Sequence, residues 1–299
     1  MHRILMRAAG SVAVLAAAAL GAAGCGSDDT SSSSDSQTAT TSAKVAAGVP
    51  AAIRSKGTLT VAADATYAPN EFIGPDGKKV IGMDAELADA LAQAMGLKAR
   101  VVNAGFDAII PGLAAHKYDL GMSSFTDTKE REQTVDFVTY FTAGTSFFVK
   151  ADGGPAISTL ADLCGHKVSV EKGTTQADDA TAQAKKCKSA GKATVTVLIF
   201  PDQNGANLAL SSGRADVGMA DSPVAAYQVK QSEGAFELGP KAYGEAPYGI
   251  AIPKDTGMAK PVLAALKAVM ADGTYASILK KWGIQDGAIS DPVINGASS

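Results

Sequence analysis

The chain has 299 residues, of which 46% are hydrophobic and 19% are charged, and its formal net charge is −3. This composition is typical of a globular protein large enough for one big domain or two lobes, and an acidic chain without basic runs argues against a nucleic-acid partner. The three histidines, His2, His116 and His166, have no metal-ligand spacing. We therefore predict neither a metal nor another cofactor.

The first 24 residues have the pattern of an export signal. A short basic stretch, MHRILMR, precedes the uncharged stretch AAGSVAVLAAAALGAAG, which is too short and too weakly apolar for a permanent membrane span. The sequence AAGC at 22–25 resembles a bacterial lipobox, although Ala22 stands where leucine is usual. We predict a lipoprotein signal peptide over 1–24 and lipidation of Cys25. The alternative is ordinary signal cleavage with Cys25 incidental.

Residues 25–50 are predicted to be a disordered tether, because the stretch GSDDTSSSSDSQTATTS is polar, low in complexity and unable to form a core. A lipid on Cys25 would hold the folded part at the outer face of the cell membrane. Outside the cytoplasm the two remaining cysteines, Cys164 and Cys187, can form a disulfide bond. Such a bond stabilises by about 3 kcal/mol on the chain-entropy model. The alternative is a pair of free buried thiols.

Strand and helix patterns alternate twice along the rest of the chain. The first series is a strand at 58–64, a helix at 82–96, a strand at 99–104, a helix at 107–117 and a strand at 118–124. The second series begins at 166–173 and ends with the strand ADVGMAD at 215–221. This order predicts two α/β units with parallel strands, at about 58–143 and 146–243.

The segments after the second unit need a sheet on which to pack. They comprise the strand YGIAIP at 248–253 and two helical stretches. We predict that they return to the first unit, which gives two crossings between lobes. Lobe 1 then comprises 51–143 plus 247–290, and lobe 2 comprises 146–243.

A short internal match joins the two units. LAAHKYDLGMSS at 113–124 and LSSGRADVGMAD at 210–221 share a leucine, a basic residue, an aspartate and Gly-Met at the same offsets. The shared positions are explained by packing. The two segments end differently, in Ser124 and Asp221, at the carboxyl ends of equivalent strands. Ligands bind outside those ends in open parallel sheets, so we expect both residues to face one cleft.

Other strand ends supply groups that suit an α-amino acid. With Thr126 capping a helical turn, Arg131, five residues further on, can fold back to hold a carboxylate with Ser124 and Thr126. Thr175 offers another donor from the second lobe. Asp221 would bind an ammonium group. The remaining predicted ligand residues are the aromatic walls Tyr67 and Phe106, and Asp64, which would meet a polar or basic side chain.

Each of these residues also has a structural interpretation without a ligand. Arg131 could be a solvated surface charge, and Asp221 could cap the following helix. Tyr67 and Phe106 could belong to the core, and Asp64 could form a local turn. Thr174 and Thr175 are good helix N-caps. What favours a site is that all of them fall at strand ends that point one way.

The motifs TYAPNEF, GMDAEL, FDAIIPGL, YDLGMSSFTDTKER, GTTQ, LALSSGRADVGMAD and DGTYASILKKWG, in this order, resemble the solute-binding proteins of ABC importers for polar amino acids. The resemblance covers about 57–283. It implies a two-lobed periplasmic-binding fold with two crossover strands, a permease and an ATPase as partners, and the ligand roles given above. Asn70 departs from the family, which usually has an aromatic residue there, and we expect the asparagine to alter the cleft wall.

The sequence therefore predicts a monomeric, lipid-anchored extracytoplasmic receptor, not an enzyme, that traps an amino acid and passes it to an importer. Three alternatives stay open at this point. The first is a dehydratase-like enzyme acting on cyclic carboxylates. The second is a sensor module that feeds a kinase, and the third is a binder of a compatible solute with a carboxylate and a cationic nitrogen.

Overall fold

A computed structural model describes residues 45–297 of the chain. The predicted signal peptide, the lipidation site Cys25 and most of the predicted tether lie outside the described residues. Within 45–297 no single helix is long and apolar enough to cross a membrane, and one pair, Ala259–Ala271 with Thr274–Trp282, passes that test only together and across a bend of 77°.

Strands and helices alternate through most of the described chain. The strands are β1 (Thr58–Ala63), β2 (Thr66–Tyr67), β3 (Glu71–Ile73), β4 (Val80–Ile81), β5 (Lys98–Asn103), β6 (Leu120–Gly121), β7 (Val135–Lys150), β8 (Lys167–Glu171), β9 (Thr196–Phe200), β10 (Val217–Asp221), β11 (Phe236–Leu238) and β12 (Tyr243–Pro253). The α-helices are α1 (Ala51–Lys56), α2 (Met83–Ala94), α3 (Phe106–Ala114), α4 (Thr175–Ser189), α5 (Gln203–Ser211), α6 (Ser222–Gln231), α7 (Ala259–Ala271) and α8 (Thr274–Trp282).

Nine of these strands form one continuous sheet in the described residues. Its order is β5-β1-β6-β12-β7-β10-β8-β9, with β11 paired to the far end of β7. The strands β5, β1 and β6 run parallel, as do β10, β8 and β9. We call the first group and the helices on it lobe 1, and the second group and its helices lobe 2.

Two long antiparallel strands connect the lobes. β7 pairs with β12 from Val135 to Thr145 and with β10 from Thr145 to Val149. One continuous strand is therefore shared by both lobes, and β12 brings the chain back to lobe 1. The predicted α/β class and the two crossing strands are confirmed.

Each lobe has its own hydrophobic core. In lobe 1, α2, α7 and α8 cover one face of the sheet with buried side chains that include Leu87, Leu91 and Leu266. In lobe 2, Val168, Val170 and Met219 lie in a second buried cluster. The cleft lies between these two cores.

The internal sequence match has a common structural cause in the two lobes. Asp119 accepts a hydrogen bond from the backbone N–H of Thr60 at 2.7 Å, and Asp216 accepts one from the backbone N–H of Lys167 at 2.8 Å. In each lobe the matched aspartate thus fixes the start of the neighbouring parallel strand. The predicted strand at 118–124 is shorter than expected, since only Leu120–Gly121 pairs as β6.

The chain leaves the sheet after β6 because Ser124 joins a buried polar network. Its φ is 51°, and its backbone N–H donates to Asp84 at 3.0 Å. The hydroxyl groups of Ser123 and Ser124 each donate to Glu71 at 3.1 Å. Asn70 is fully buried, and its Nδ2 donates to the Ser124 hydroxyl at 2.9 Å. Asn70 therefore fixes the Ser124 hydroxyl from within the protein interior.

Glu71 and Asp84 form a buried carboxyl pair within this network, with exposed fractions of 0% and 1%. Asp84 also accepts a hydrogen bond from the Tyr140 hydroxyl at 2.7 Å. Burial raises the pKa of Asp84 to about 6, and burial together with the charge of Asp84 raises the pKa of Glu71 well above its usual value. Glu71 therefore holds a proton more strongly than an exposed glutamate does, and a proton on Glu71 can be donated to Asp84. The hydrogen bonds that Glu71 and Asp84 accept from Ser123 and Ser124 hold these two residues in place.

The predicted disulfide bond is confirmed, since Cys164 is bonded to Cys187 across a sequence separation of 23 residues. We expect the double variant Cys164→Ser/Cys187→Ser to lower the free energy of unfolding by about 3 kcal/mol, because the unfolded chain regains loop entropy. Urea unfolding monitored by circular dichroism measures this difference. A reducing agent should destabilise the wild type by a similar amount and leave the double variant unchanged. A double variant as stable as the oxidised wild type would contradict the expectation.

The Glu71–Asp84 pair makes stability depend on pH. The folded-state pKa of Glu71 lies above its unfolded value of about 4.3, so its contribution is fully present below that value and is lost as pH rises towards the folded pKa. Glutamine supplies a donor without titrating. We expect Glu71→Gln to flatten the fall in unfolding free energy between pH 5 and 8 by up to about 1.4 kcal/mol per pH unit.

Urea unfolding at four pH values across this range measures the effect. Glu237→Gln, at an exposed glutamate, is the matched control and should keep the wild-type slope. Equal slopes in the wild type and Glu71→Gln would show that Glu71 does not hold this proton.

Candidate ligand-binding cleft

A small cavity of about 10 Å³ lies between the two lobes. All eight residues predicted to bind a ligand line it. The full lining consists of Asp64, Tyr67, Phe106, Ser123, Ser124, Thr126, Arg131, Glu171, Thr174, Thr175, Gln176 and Asp221. The structure thus brings together every residue of the predicted site, whereas their roles in binding stay predictions. Asn70 does not line the cavity, so the expectation that it alters the cleft wall was wrong.

Strand ends account for most of the charged lining residues. Asp64 directly follows β1, Ser124 lies shortly after β6, Glu171 is the last residue of β8, and Asp221 is the last residue of β10. Because parallel strands within a lobe end on the same edge of the sheet, these side chains face one another across the cleft.

Asp221 is buried, and its side chain is turned towards the cleft. Its Oδ1 accepts a hydrogen bond from Gln176 Nε2 at 2.7 Å, and its Oδ2 accepts one from the Tyr248 hydroxyl at 2.7 Å. Asp221 occupies the N-cap position of α6, but its side chain makes no capping hydrogen bond. The alternative interpretation of this residue as a helix cap is therefore wrong.

The ionisation of Asp221 is balanced between burial and its partners. Burial raises its pKa to about 6, although hydrogen bonds from Tyr248, Gln176 and Tyr67 and the positive charge of Arg131 all lower it. The group is thus mainly ionised at neutral pH. A buried anion of this kind gains from a cationic partner more than an exposed one does, because water does not screen it.

Arg131 lies on the lobe 1 side of the cleft. Its Nη1 donates to the backbone oxygen of Thr126 at 2.8 Å, and its guanidinium lies 5.4 Å from the ring centre of Phe106. Among residues 45–297 it forms no salt bridge. The predicted fold-back over five residues occurs, but the hydroxyl that accepts from the Arg131 backbone N–H, at 3.2 Å, belongs to Thr128. The expected cap by Thr126 is therefore wrong.

The two threonines at the start of α4 have different roles. Thr174 is the N-cap, and its hydroxyl accepts from the backbone N–H of Ala177 at 3.2 Å. Thr175 is the first residue of the helix and lines the cavity without being the cap. The N-cap interpretation is thus right for Thr174 and wrong for Thr175. The free backbone N–H groups of this first turn give the cavity a site for an anion.

Tyr67 and Phe106 belong both to the cavity wall and to the core. Phe106 stacks on Phe125 with ring centres 4.5 Å apart, and Tyr67 packs in a cluster with Phe148. The Tyr67 hydroxyl also accepts a hydrogen bond from the backbone N–H of Asp221 at 2.9 Å. Tyr67 therefore reaches from lobe 1 to lobe 2.

Further contacts across the cleft hold the lobes together. Arg131 Nη2 donates to the backbone oxygen of Gly173 at 3.0 Å, and Lys172 pairs with Asp107 at 2.7 Å. Gly173 has a φ of 80°, and a Cβ atom there would lie 3.1 Å from the Cβ of Asp107, so glycine permits this approach. The lobes are thus in contact, and their side chains nearly fill the cavity.

Two buried carboxyl groups form one corner of the cavity. Asp64 accepts hydrogen bonds from the Thr66 hydroxyl at 2.7 Å and from the backbone N–H of Phe106 at 2.9 Å, and it is 3% exposed. The local turn proposed for Asp64 is therefore present, and the same side chain lines the cavity. Burial raises its pKa. Glu171, 2% exposed, completes the corner.

The strand-end argument could have identified Glu171, which ends its strand just as Asp64 follows its own. Gln176 lies in the motif GTTQ, but its contact with Asp221 depends on how α4 is oriented, which the sequence does not show. Ser123 and Tyr248 were also missed. Tyr248 lies on β12, and its position follows from the long-range pairing of β12 with β7.

Known proteins share this architecture. The family model of bacterial extracellular solute-binding proteins, family 3, matches residues 59–285. The arginine-binding protein ArgT of Corynebacterium glutamicum is 34% identical over 253 residues, covering 84% of this chain and 83% of that protein.

Two solved structures of ancestral proteins are also similar. An ancestral arginine-binding protein bound to arginine has a TM-score of 0.69 and 37% identity, covering 76% of this chain and 98% of that one. An ancestral amino acid-binding protein described as a precursor of cyclohexadienyl dehydratase has a TM-score of 0.69 and 36% identity, covering 77% and 97%. The two-lobed periplasmic-binding fold is thereby confirmed, and the chain belongs to the bacterial extracellular solute-binding proteins, family 3.

Proposed function

We propose that this protein captures a free amino acid between its lobes and delivers it to the permease and ATPase of an ABC importer. The observation that carries the proposal is the placement of Arg131 and Asp221 at one cavity, each from a different lobe. We take the lobes to have the boundaries predicted from the sequence, 51–143 plus 247–290 and 146–243. The related arginine-binding proteins support the same function.

An α-amino acid presents a carboxylate and an ammonium group on the same carbon. In the proposed complex Arg131 binds the carboxylate, with Ser124, Thr126 and Thr175 as further hydrogen-bond donors. Asp221 binds the ammonium group in place of the contacts that now fill the cleft. Because Arg131 and Asp221 lie on opposite lobes, a zwitterion contacts both of them only in the closed form. Its binding therefore stabilises the closed form more than the open form, and this difference in free energy drives closure.

The acidic corner indicates which amino acid is bound. Asp64 and Glu171 line the same cavity as Arg131 and Asp221, and Asp202 lies near enough to affect their ionisation. In the proposed complex the ligand side chain extends towards these two acids. Carboxyl groups in a buried subsite favour a cationic side chain. We therefore propose a basic amino acid as the ligand, with L-arginine first. Tyr67 and Phe106 would flank its aliphatic part.

The other candidate ligands and functions fit this cleft less well. A compatible solute with a fully substituted nitrogen has no N–H to donate to Asp221 and would favour an aromatic cage. The dehydratase-like alternative is supported only by similarity to an ancestral precursor of cyclohexadienyl dehydratase. That precursor is itself described as an amino acid-binding protein. Turnover of cyclic carboxylic acids by the purified protein would support that alternative.

We expect Asp221→Ala and Arg131→Ala each to weaken L-arginine binding by a few hundred to a few thousand fold. Each substitution leaves one buried ion of the ligand without its partner, which costs about 3–5 kcal/mol. Isothermal titration calorimetry measures the loss, and thermal unfolding checks that each variant is folded. The exposed residues Asp152 and Arg54 provide the matched controls Asp152→Ala and Arg54→Ala, which should bind as the wild type does. Near wild-type binding by both cleft variants would contradict the assignment.

We also propose that Cys25 carries a lipid that holds the receptor at the outer face of the membrane. In the native host the wild type should partition into a detergent phase, whereas Cys25→Ser should appear in the aqueous phase or the medium, since it lacks the thiol that accepts the lipid. Phase separation followed by immunoblotting measures the distribution. Equal partitioning of the two proteins would favour ordinary signal cleavage.

A further inference from the structure

We propose that Asp64 and Glu171 together hold one proton while the subsite is empty and release it when a cationic ligand side chain binds between them. The inference rests on the proposed amino acid binding and adds to it a proton that leaves the site. It makes the receptor's preference for a cationic over a neutral side chain depend on pH.

The geometry singles out Glu171 among the acids of the cleft. Asp64 accepts two hydrogen bonds and Asp221 accepts two, from the donors described above. Within residues 45–297, Glu171 Oε1 is buried and has no hydrogen-bond partner. A buried polar atom without a partner is rare in folded proteins, and this one belongs to a residue that lines the cavity. A ligand donor would satisfy it.

The charges around Glu171 favour its neutral form. Asp64 and Tyr67 face it from lobe 1, Asp221 from β10, and Asp202 from the start of α5. Asp202 Oδ1 is engaged as the N-cap of α5, where it accepts from the backbone N–H of Gly205 at 2.7 Å. Three carboxylates therefore surround a fourth carboxyl group that is almost fully buried.

The two cations near this corner are engaged elsewhere. Lys172, the next residue along the chain, pairs with Asp107 at 2.7 Å. Arg131 donates to the backbone oxygens of Thr126 and Gly173. Burial and the negative charges of Asp64 and Asp202 raise the pKa of Glu171 to about 9. At neutral pH it is therefore a carboxylic acid, hydrogen-bonded to Asp64.

A guanidinium group in this corner shifts the protonation equilibrium of Glu171 towards the ionised form. It donates N–H bonds to the carboxyl oxygens and brings a positive charge, so the ionised form of Glu171 becomes favoured and its proton passes to solvent. Binding that releases a proton strengthens as pH rises, here below the pKa of about 9 in the empty site. A neutral side chain with the same shape leaves the proton in place, because the Glu171 hydroxyl can donate to its carbonyl oxygen.

L-Citrulline provides the matched probe, since it replaces the guanidinium of L-arginine with a neutral ureido group. Calorimetric titrations at pH 7.5 in buffers of different ionisation enthalpy count the protons released on binding. We expect close to one more proton released with L-arginine than with L-citrulline. Between pH 7 and 8 the L-arginine affinity should also rise by up to about tenfold relative to L-citrulline. Both ligands share the α-amino and α-carboxyl groups, so changes at Asp221 cancel.

Glu171→Gln removes the titrating group without changing its size. We expect it to abolish the extra proton release and to weaken L-arginine at least tenfold at pH 8, with L-citrulline changed less than threefold. Glu237→Gln is the exposed control and should behave as the wild type. The inference is overturned if the wild type releases no extra proton with L-arginine, or if Glu171→Gln releases as much.

The wild-type proton count needs no variant, so it decides the matter even if Glu171→Gln fails to fold. Two other outcomes separate this inference from the function on which it rests. If the folded protein binds a neutral amino acid and does not bind L-arginine, the inference and the proposed basic ligand fail, whereas capture of an amino acid for an importer stands. If it binds no amino acid at all, the proposed function fails as well.

Discussion

The burial of the Asp221 carboxylate is the constraint on which the cleft depends. A carboxylate removed from water must be hydrogen-bonded or paired with a cation, or it takes up a proton. Here the carboxylate accepts from Gln176 on α4 and from Tyr248 on the crossing strand β12, while the backbone N–H of Asp221 donates to Tyr67 of lobe 1. The same residue thus connects the interior of lobe 2, the connection between the lobes and the opposite wall. In the proposed complex a ligand ammonium group adds a cation to this carboxylate.

The two lobes share one sequence pattern, at 113–124 and 210–221, and differ at its end, where a ligand would lie. Asp119 and Asp216 fix neighbouring strands in the same way. The end of the pattern gives a neutral hydroxyl in lobe 1, at Ser124, and a carboxylate in lobe 2, at Asp221. With Arg131 on lobe 1, a cation and the Asp221 anion line one cavity from opposite lobes. Opposite charges of this kind suit a zwitterion. Two lobes whose matched segments ended in the same residue would not provide them.

Much of this arrangement could be predicted from the sequence because it follows from local rules. Strand ends located Asp64, Ser124 and Asp221, and the spacing from Thr126 located Arg131. The parts that were missed depend on distant contacts. Tyr248 contacts Asp221 because of the register between the long antiparallel strands β7 and β12. Asn70 lies outside the cleft wall, where its side chain donates a hydrogen bond to Ser124. Thr128 replaced Thr126 as the cap because only the fold of the turn decides which hydroxyl faces the Arg131 N–H.

The buried acid pairs show how ionisation links fold and site. Glu71 and Asp84 lie outside the cleft and fix Ser124 through the hydrogen bonds that they accept from it. Asp64 and Glu171 line the cleft itself. Composition alone could not distinguish these four residues from solvated acids, since the pKa of each is set by burial and by neighbours that are distant in sequence. The first pair is closed off by hydrogen bonds from the protein, whereas the second leaves Glu171 Oε1 without a partner among the described residues. That difference separates a structural pair from one available to a ligand.

The central claim is that a cation and an anion from opposite lobes hold the two charges of one zwitterion. The most direct test titrates the protein calorimetrically with L-arginine, with agmatine, which lacks the carboxylate, and with Nα-acetyl-L-arginine, which lacks the ammonium group. The account predicts that L-arginine binds and that each analogue binds at least about a hundredfold more weakly, because each leaves Arg131 or Asp221 without its partner. Agmatine or the acetyl derivative binding as tightly as L-arginine would contradict it.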